Sequence, residues 1–233
     1  MRHFNLSGMS VMLAMPVNRD LPLDTVTSLF NTFNALRIRG LGNFEMRFQN
    51  GGTIPEARSR SVHDFLKWAP DDKAKLFFLD SDMVWTADDV MRILALSTVY
   101  DLIFASYQSK SDPPKFYVHY LNECTKLNEH GLMRVAGVGL GFGAASRRAL
   151  EAVWERGKTL RFPGGDRFPV IFRYDDDGAG TFRGEDMAFF HDLDAAGFPL
   201  YTDPSITLGH IGSKVYRANI LDHMQKVESE VAA

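Results

Sequence analysis

The chain contains a single cysteine, Cys124, in 233 residues. That excludes an intramolecular disulfide and fits a reducing, cytoplasmic setting. Long hydrophobic runs are also missing. The N-terminal apolar stretch from Val11 to Val17 falls far below the ~20 residues of a membrane span. It lacks a small-residue cleavage signature and reads as a buried strand, so no membrane span is expected. Neither sign of charge dominates: 26 Lys and Arg stand against 29 Asp and Glu, a net charge of −3. There is then no global electrostatic case for nucleic-acid or membrane binding, although a local basic groove remains compatible. No internal repeat or low-complexity tract occurs. What is present, 45% hydrophobic and 24% charged residues, is ordinary globular composition in a chain long enough for a substantial core.

The first two-thirds alternate between strand-like and helix-like segments. "SVMLAMP" (10–16) is an apolar run stopped by proline. Leu23, Val26, Phe30 and Phe33 recur at helical spacing and predict a helix over 23–36 with these residues as its apolar face. "FEMRFQ" (44–49) alternates like a strand and is halted by Asn50-Gly51-Gly52. A helix starting near Pro55-Glu56 carries Val62, Phe65 and Leu66 inward and ends before Pro70. "KLFFLD" is the next strand, Thr86 to Asp89 a capping box, and "DLIFASY" (101–107) another strand. This alternation implies a mainly parallel sheet with helices on both faces, in which ligands sit beyond the carboxyl ends of the strands.

Beyond residue 110 the pattern loosens. "KFYVHYLN" (115–122) reads as an antiparallel strand. Phe162 to Gly184, rich in Pro, Gly and Asp, reads as a long mobile loop. The expected organisation is one domain over 1–233, with a nucleotide-binding half (9–110), a substrate half (111–216) and a C-terminal amphipathic helix (217–233).

Three clusters carry chemistry. Asp80-Ser81-Asp82 ends the strand "KLFFL". Carboxylates at i and i+2 on an extended segment face opposite ways, so the two acids take separate roles: Asp82 on a divalent cation, Asp80 on a ribose hydroxyl or coordinated water. Oxygen ligands suit Mn²⁺ or Mg²⁺. The same triplet also fits two solvated acids near a helix start. Glu185 and Asp186 open a helix in "GEDMAFFHDLDAAGF", where Phe189, Phe190, Leu193 and Ala196 face inward. They read as simple caps, or as a base and its acceptor-binding neighbour. His210 and Lys214 lie in "GHIGSK", where glycines let backbone approach a ligand; alone, they read as a structural histidine and a surface lysine.

The order of these pieces resembles the GT-A family of nucleotide-sugar-dependent glycosyltransferases over roughly residues 10–216. The resemblance rests on Pro16 ending a strand, "NGGTIPEARSRSV" (50–62), "FFLDSDMVW", "ASYQSK" (105–110), "GVGLGFGAASRRALE", "GEDMAFFHDLDAAGF" and "GHIGSK". It implies a Rossmann-like sheet with a smaller antiparallel acceptor-side part. It further implies a metal site of Asp82, His210 and Asp80, and a donor pocket of Pro16, Asn18, Asn50, Arg58, Asp80, Ser81, Lys110 and Lys214. By the same resemblance Asp186 is the base, beside Glu185, and Gly137, Gly139 and Glu185 border the acceptor. The donor it implies is a UDP- or GDP-sugar, the cofactor Mn²⁺ or Mg²⁺, and the protein a monomer or homodimer.

Two rivals share the triplet. A haloacid-dehalogenase-type phosphohydrolase would use Asp80 as nucleophile, but that signature normally occupies the first strand, and "GHIGSK" has no role in it. A non-catalytic sugar-nucleotide binder would need no base. Seven basic residues between Arg147 and Arg173 (Arg147, Arg148, Arg156, Lys158, Arg161, Arg167, Arg173) read as a solvated face, or as a groove for an anionic acceptor, DNA included. "YDDDGAG" (174–180) reads as a solvated, acceptor-side loop. Its three consecutive aspartates do not match alternating Ca²⁺ ligands.

Overall fold

The structure is a computed structural model that describes residues 6, 8–18, 20–41, 43–50, 52–121, 126–162, 165–176 and 178–231. Cys124, Gly51, Asn122 and Asp177, each part of an expectation above, lie outside the described residues. In chain order, β1 (Ser10–Val17), α1 (Leu23–Ile38), β2 (Asn43–Asn50), α2 (Ile54–Trp68), β3 (Lys75–Leu79), β4 (Met83–Val84) and α3 (Ala87–Leu96) form the first half. There follow β5 (Leu102–Phe104), β6 (Val118–Tyr120), β7 (Met133–Val138), β8 (Phe142–Ser146), α4 (Arg147–Trp154), β9 (Lys158–Arg161) and β10 (Arg167–Val170). The chain continues through β11 (Asp175–Asp176), β12 (Phe182–Arg183), α5 (Glu185–Ala195), β13 (Leu200–Thr202), β14 (Gly209–Ile211), β15 (Val215–Tyr216) and α6 (Ile220–Val231).

Eight strands make the central sheet in the order β2-β1-β3-β8-β5-β13-β7-β6. The pairings β1 with β2, β1 with β3 and β5 with β13 are parallel, and those made by β8 and β7 are antiparallel. Six strands therefore share one direction, with β7 and β8 opposed, and the sheet is mainly parallel. Alternation along the buried strands sorts the core into two layers. Met12, Ala14, Leu76, Phe78, Leu102 and Phe104 pack with Val62 and Phe65 of α2, Leu150 of α4 and Phe189 and Phe190 of α5. Val11, Leu13, Met15, Phe77, Leu79 and Ile103 pack against Leu29 of α1 and Val90, Ile93 and Leu94 of α3. Strands buried on both faces explain why "VMLAM" and "LFFL" are unbroken apolar runs.

Two expectations are corrected. Helix α1 forms, but it turns a different face inward. Leu23 and Phe30 are 78% and 67% exposed, while Thr25, Ser28, Leu29, Thr32 and Leu36 are buried. The inward hydroxyls find partners on the β3–α3 connection. Ser28 donates to the Trp85 carbonyl at 2.9 Å, and the Trp85 indole N–H donates to Thr32 Oγ1 at 2.9 Å. Small hydroxyl side chains let the helix approach closely while leaving no buried polar atom unpaired, which apolar spacing alone does not reveal. The second correction concerns the expected loop over 162–184. It holds a β9–β10 hairpin, reached from Lys158, and a short β11–β12 hairpin. Among its basic residues, Arg173 pairs with Asp192 and with Asp175 at 3.1 Å. Arg148 forks onto Asp101 at 2.6 and 2.5 Å, so part of the basic stretch is a structural ion-pair set. Ala196, expected to face inward, caps α5 and is half-buried. Among the described residues no helix is long and apolar enough to cross a membrane.

Candidate active site

The strand β3 is buried along its length and delivers Asp80 at its carboxyl end, where the chain turns through Ser81 and Asp82 into β4. The turn is held from two sides. Thr25 Oγ1 of α1 lies 3.1 Å from the Ser81 carbonyl oxygen and 2.9 Å from that of Met83. The Asp80 N–H donates to the Gly141 carbonyl at 2.9 Å.

The two aspartates then part company. Both Asp80 oxygens accept from one Arg58 nitrogen, at 3.1 and 3.2 Å. The other terminal nitrogen of Arg58 donates to Asp186 and, at 3.2 Å, to Glu185 Oε1. Arg58 projects from α2, whose N-terminus is fixed by the Thr53 side chain and Pro55, and its side chain is buried. It thus stitches α2, β3 and α5 together with a single guanidinium. A fork of donors suits this, because three carboxylates near one point would otherwise repel. Burial opposes the Arg58 charge, but Asp80 and Asp186 outweigh it and hold the guanidinium firmly protonated.

Asp186 sits in the first turn of α5 and also accepts the Leu140 N–H at 3.1 Å. Burial pushes its carboxyl up, Arg58 pulls it down, and the neighbouring Glu185 and Asp80 charges push it up again. The result is a value of about 6. A carboxylate that titrates near neutrality is suited to taking a proton.

Asp82 lies in a different environment. Lys110 Nζ contacts its Oδ2, and His210 Nε2 lies 3.6 Å from the same oxygen. Burial would raise this carboxyl, but the hydrogen bonds and charges of His210 and Lys110 hold it down at about 2. β14 pairs with β4 in the register His210 to Met83, and the Ile211 N–H donates to the Asp82 carbonyl at 2.7 Å. His210 Nδ1 is 2.9 Å from the Gln108 carbonyl oxygen. A carbonyl only accepts, so Nδ1 carries a proton; Nε2 faces Asp82, donating toward it in the charged ring and offering a lone pair there once that second proton is lost.

The remaining expected residues are placed as follows. Pro16 is buried near the end of β1, Asn18 lies exposed just past it, and Asn50 ends β2 opposite Val17, all at the carboxyl end of the sheet. Lys214 is exposed and pairs with Asp112 at 2.5 Å. Gly137 packs under Met187, where a side chain would collide with the thioether, and Gly139 lies under the Tyr107 ring, whose hydroxyl would stand 2.5 Å from an added Cβ. Asp82, His210 and Lys110 form one group, and Arg58, Asp80, Glu185 and Asp186 another. Asp80 is turned toward Arg58, and among the described residues no three His, Cys, Asp or Glu gather as a cation site.

Three contributors carried no signal of their own in the sequence. Tyr107 is buried, accepts the Gly141 N–H at 3.2 Å and stands edge-on to the His210 ring, 5.1 Å between centroids. Burial, then Asp80 and Asp186, push its phenol well above the usual range, so it stays neutral. Gln108 acts through its carbonyl and Leu140 through its N–H, and backbone groups leave no mark on residue type. The only trace was "ASYQSK" itself, at a strand end.

No family model matches this chain, and no curated protein matches it. Among solved structures, the chain is similar to the crystal structure of GalNAc-T7 with UDP, GalNAc and Mn²⁺, at a TM-score of 0.52 and 12% sequence identity. The match covers 87% of this chain and 44% of that one, so the chain spans less than half of that protein's structure. The fold is of the GT-A type. At this identity the likeness concerns the fold, and the chemistry must be argued from the residues.

Proposed function

We propose that the protein is a glycosyltransferase that moves a sugar from a nucleoside-diphosphate sugar to a hydroxyl acceptor, with inversion. The observation that carries this reading is the separation of Asp186 and Asp82 at one sheet end, one carboxyl raised to about 6 and one lowered to about 2. An elevated carboxylate supplies a base, and a depressed one supplies a permanently charged oxygen ligand. Inverting transfer from a donor whose leaving group is a nucleoside diphosphate uses both roles.

The residues fit a divalent cation in part. Asp82 presents a hard oxygen and His210 a lone pair on Nε2, a combination that suits Mn²⁺ and Mg²⁺. Asp82 and His210 would hold the ion, and Asp80 is engaged by Arg58 instead. When bound, such an ion offsets the negative charge of the leaving diphosphate. Lys110 now occupies the Asp82 oxygen and is placed to transfer its charge to a phosphate; Lys214, on the following turn, would add a second. Pro16, Asn18, Asn50 and Ser81 border the nucleoside side, and Gly137 and Gly139 the acceptor side.

Asp186 takes the proton of the acceptor hydroxyl as the oxygen forms its bond to the anomeric carbon. The bond from that carbon to the diphosphate oxygen breaks, and its electron pair leaves with the nucleoside diphosphate. Arg58 keeps Asp186 and Asp80 at fixed separation, and Glu185 at the same helix start can accept from the acceptor. A phosphohydrolase reading has less support, because its nucleophile, Asp80, follows the third strand in the chain, β3, rather than the first.

The test is thermal stabilisation by UDP-, GDP-, CDP- and dTDP-sugars with and without Mn²⁺, followed by nucleoside-diphosphate release with hydroxyl acceptors, a glycan and DNA included. Metal-dependent stabilisation by at least one sugar nucleotide is expected. If none stabilises the protein, the donor-site reading is wrong.

A further inference from the structure

One residue of α1 reaches the outer strand of the sheet. Phe33 of α1 stacks on Phe44 of β2, with ring centroids 5.9 Å apart. Phe44 and Met46 pack toward the α1 side, and Phe48, of the same parity, is 50% exposed. On the other face, Gln49 reaches Asp64 of α2 at 2.8 Å. β2 is the terminal strand of the eight, and among the described residues its only strand partner is β1. Free edges are commonly blunted by proline, lysine, a bulge or a covering segment. The eight residues "NFEMRFQN" contain no proline or lysine, and the register with β1 runs unbroken from Asn43 to Asn50. The strand's two charges, Glu45 and Arg47, are of opposite sign and contact each other at 2.5 Å.

The strand is also nearly palindromic in chemistry about Met46. We propose that β2 pairs antiparallel with β2 of a second copy of this chain, about a two-fold axis through Met46, to form one continuous sheet across a dimer. An antiparallel pair related by a two-fold axis normal to the sheet sets one residue opposite its own copy. An axis at Glu45 or Arg47 would oppose like charges. An axis at Phe44 would pair only residues 43–45, and one at Phe48 only residues 46–50. With Met46 on the axis, Glu45 faces Arg47 of the second copy, and Phe44 faces Phe48 of the second copy. Asn43 then faces Gln49 of the second copy, and all seven residues from 43 to 49 are paired. Opposite charges and aromatic pairs directly across a strand pair stabilise it, and like charges destabilise it. The axis keeps α1 of both copies on one side of the sheet. Because the strands run in opposite directions, the two candidate active sites open at opposite ends of the extended sheet.

The test begins with the mass of the full chain by sedimentation velocity over a concentration series. A monomer–dimer equilibrium is expected for the native sequence, and a monomer at every concentration overturns the proposal. Arg47→Glu sets two like-charge pairs across the axis and should weaken self-association about tenfold or more. Adding Glu45→Arg to that variant restores opposite charges across the joint and should restore the dimer. If neither variant changes the association, a different surface makes the dimer and the proposal fails. The register is read by cysteine cross-linking in a Cys124→Ser background. Met46→Cys should form a disulfide with its own copy, since directly opposed residues come within disulfide reach. Asn43→Cys, opposite Gln49 of the second copy, should not, and the reverse pattern overturns the Met46 axis.

Discussion

Asp82 and Asp186 stand at the same end of the same sheet, yet their surroundings drive them apart. Asp82 is partly exposed and faces two basic side chains, Lys110 and His210, which keep it ionised down to about pH 2. Asp186 is largely buried and shares its single cation, Arg58, with two other carboxylates, so burial and like charge prevail and its carboxyl rises to about 6. Two basic side chains on one carboxylate hold Asp82 down, whereas one cation shared among three does not offset the burial of Asp186. The difference assigns the two acids to different work, since a ligand must stay charged and a base must exchange a proton.

The strongest way to break this contrast is Asp186→Asn. Transfer should fall about 10²- to 10⁴-fold in kcat, the usual span for loss of a general base, while metal-dependent donor binding persists. Steady-state assays alongside thermal shifts separate the two, and undiminished transfer would place the base elsewhere.

Arg58→Ala removes the shared cation and leaves three carboxylates facing one another. We expect a loss of about 3–5 kcal/mol in urea unfolding, as when one partner of a buried pair is deleted. Much of that loss should be recovered as the pH falls and Asp186 accepts a proton.

Asp82→Ala and His210→Ala are aimed at the other cluster. Each should erase the Mn²⁺-dependent part of donor stabilisation and leave the metal-free part. An equal Mn²⁺ effect in both variants and the native protein would remove these two residues from the cation site.

The pH dependence follows in opposite senses. A folded carboxyl raised from its ordinary value near 4 to about 6, as in Asp186, contributes stability that is present below pH 4 and is lost as pH rises to 6. About two units correspond to roughly 3 kcal/mol, and Asp186→Asn should abolish this slope. Asp82, lowered to about 2, contributes stability above pH 4 that is lost as pH falls through 2. Catalysis, which needs Asp186 charged, should rise across pH 6 while stability declines, and a flat rate profile would count against Asp186 as base.

The smallest effect concerns the scaffold. Thr25→Val deletes the hydroxyl beside the Ser81 and Met83 carbonyls and should lower stability by about 1–3 kcal/mol, the cost of an unpaired buried acceptor. The loss is measurable as a shift in urea midpoint.

The strands were legible because burial on both faces forces unbroken apolar runs, as in "VMLAM" and "LFFL". The caps were legible because Thr86 and Asp89 bond each other's backbone within three residues. The α1 face was not, since Thr25, Ser28 and Thr32 are buried only because the turn after β3 supplies their acceptors. The hairpins over 158–183 carry no such signal, because strands of two to four residues are too short to show a period.

By itself, the sequence determined an α/β sheet whose third strand ends in Asp80-Ser81-Asp82, with acids opening a later helix and a histidine beyond. Those features are local, set by side-chain polarity and backbone spacing over a few residues. Tertiary structure alone decided that Arg58 would join Asp80 to Asp186 across 128 positions of chain, counted from Arg58 to Asp186. It alone decided that β14 would seat His210 beside Asp82. Charge pairing and burial depend on which distant segments come within contact distance, and the folded sheet brings those segments together.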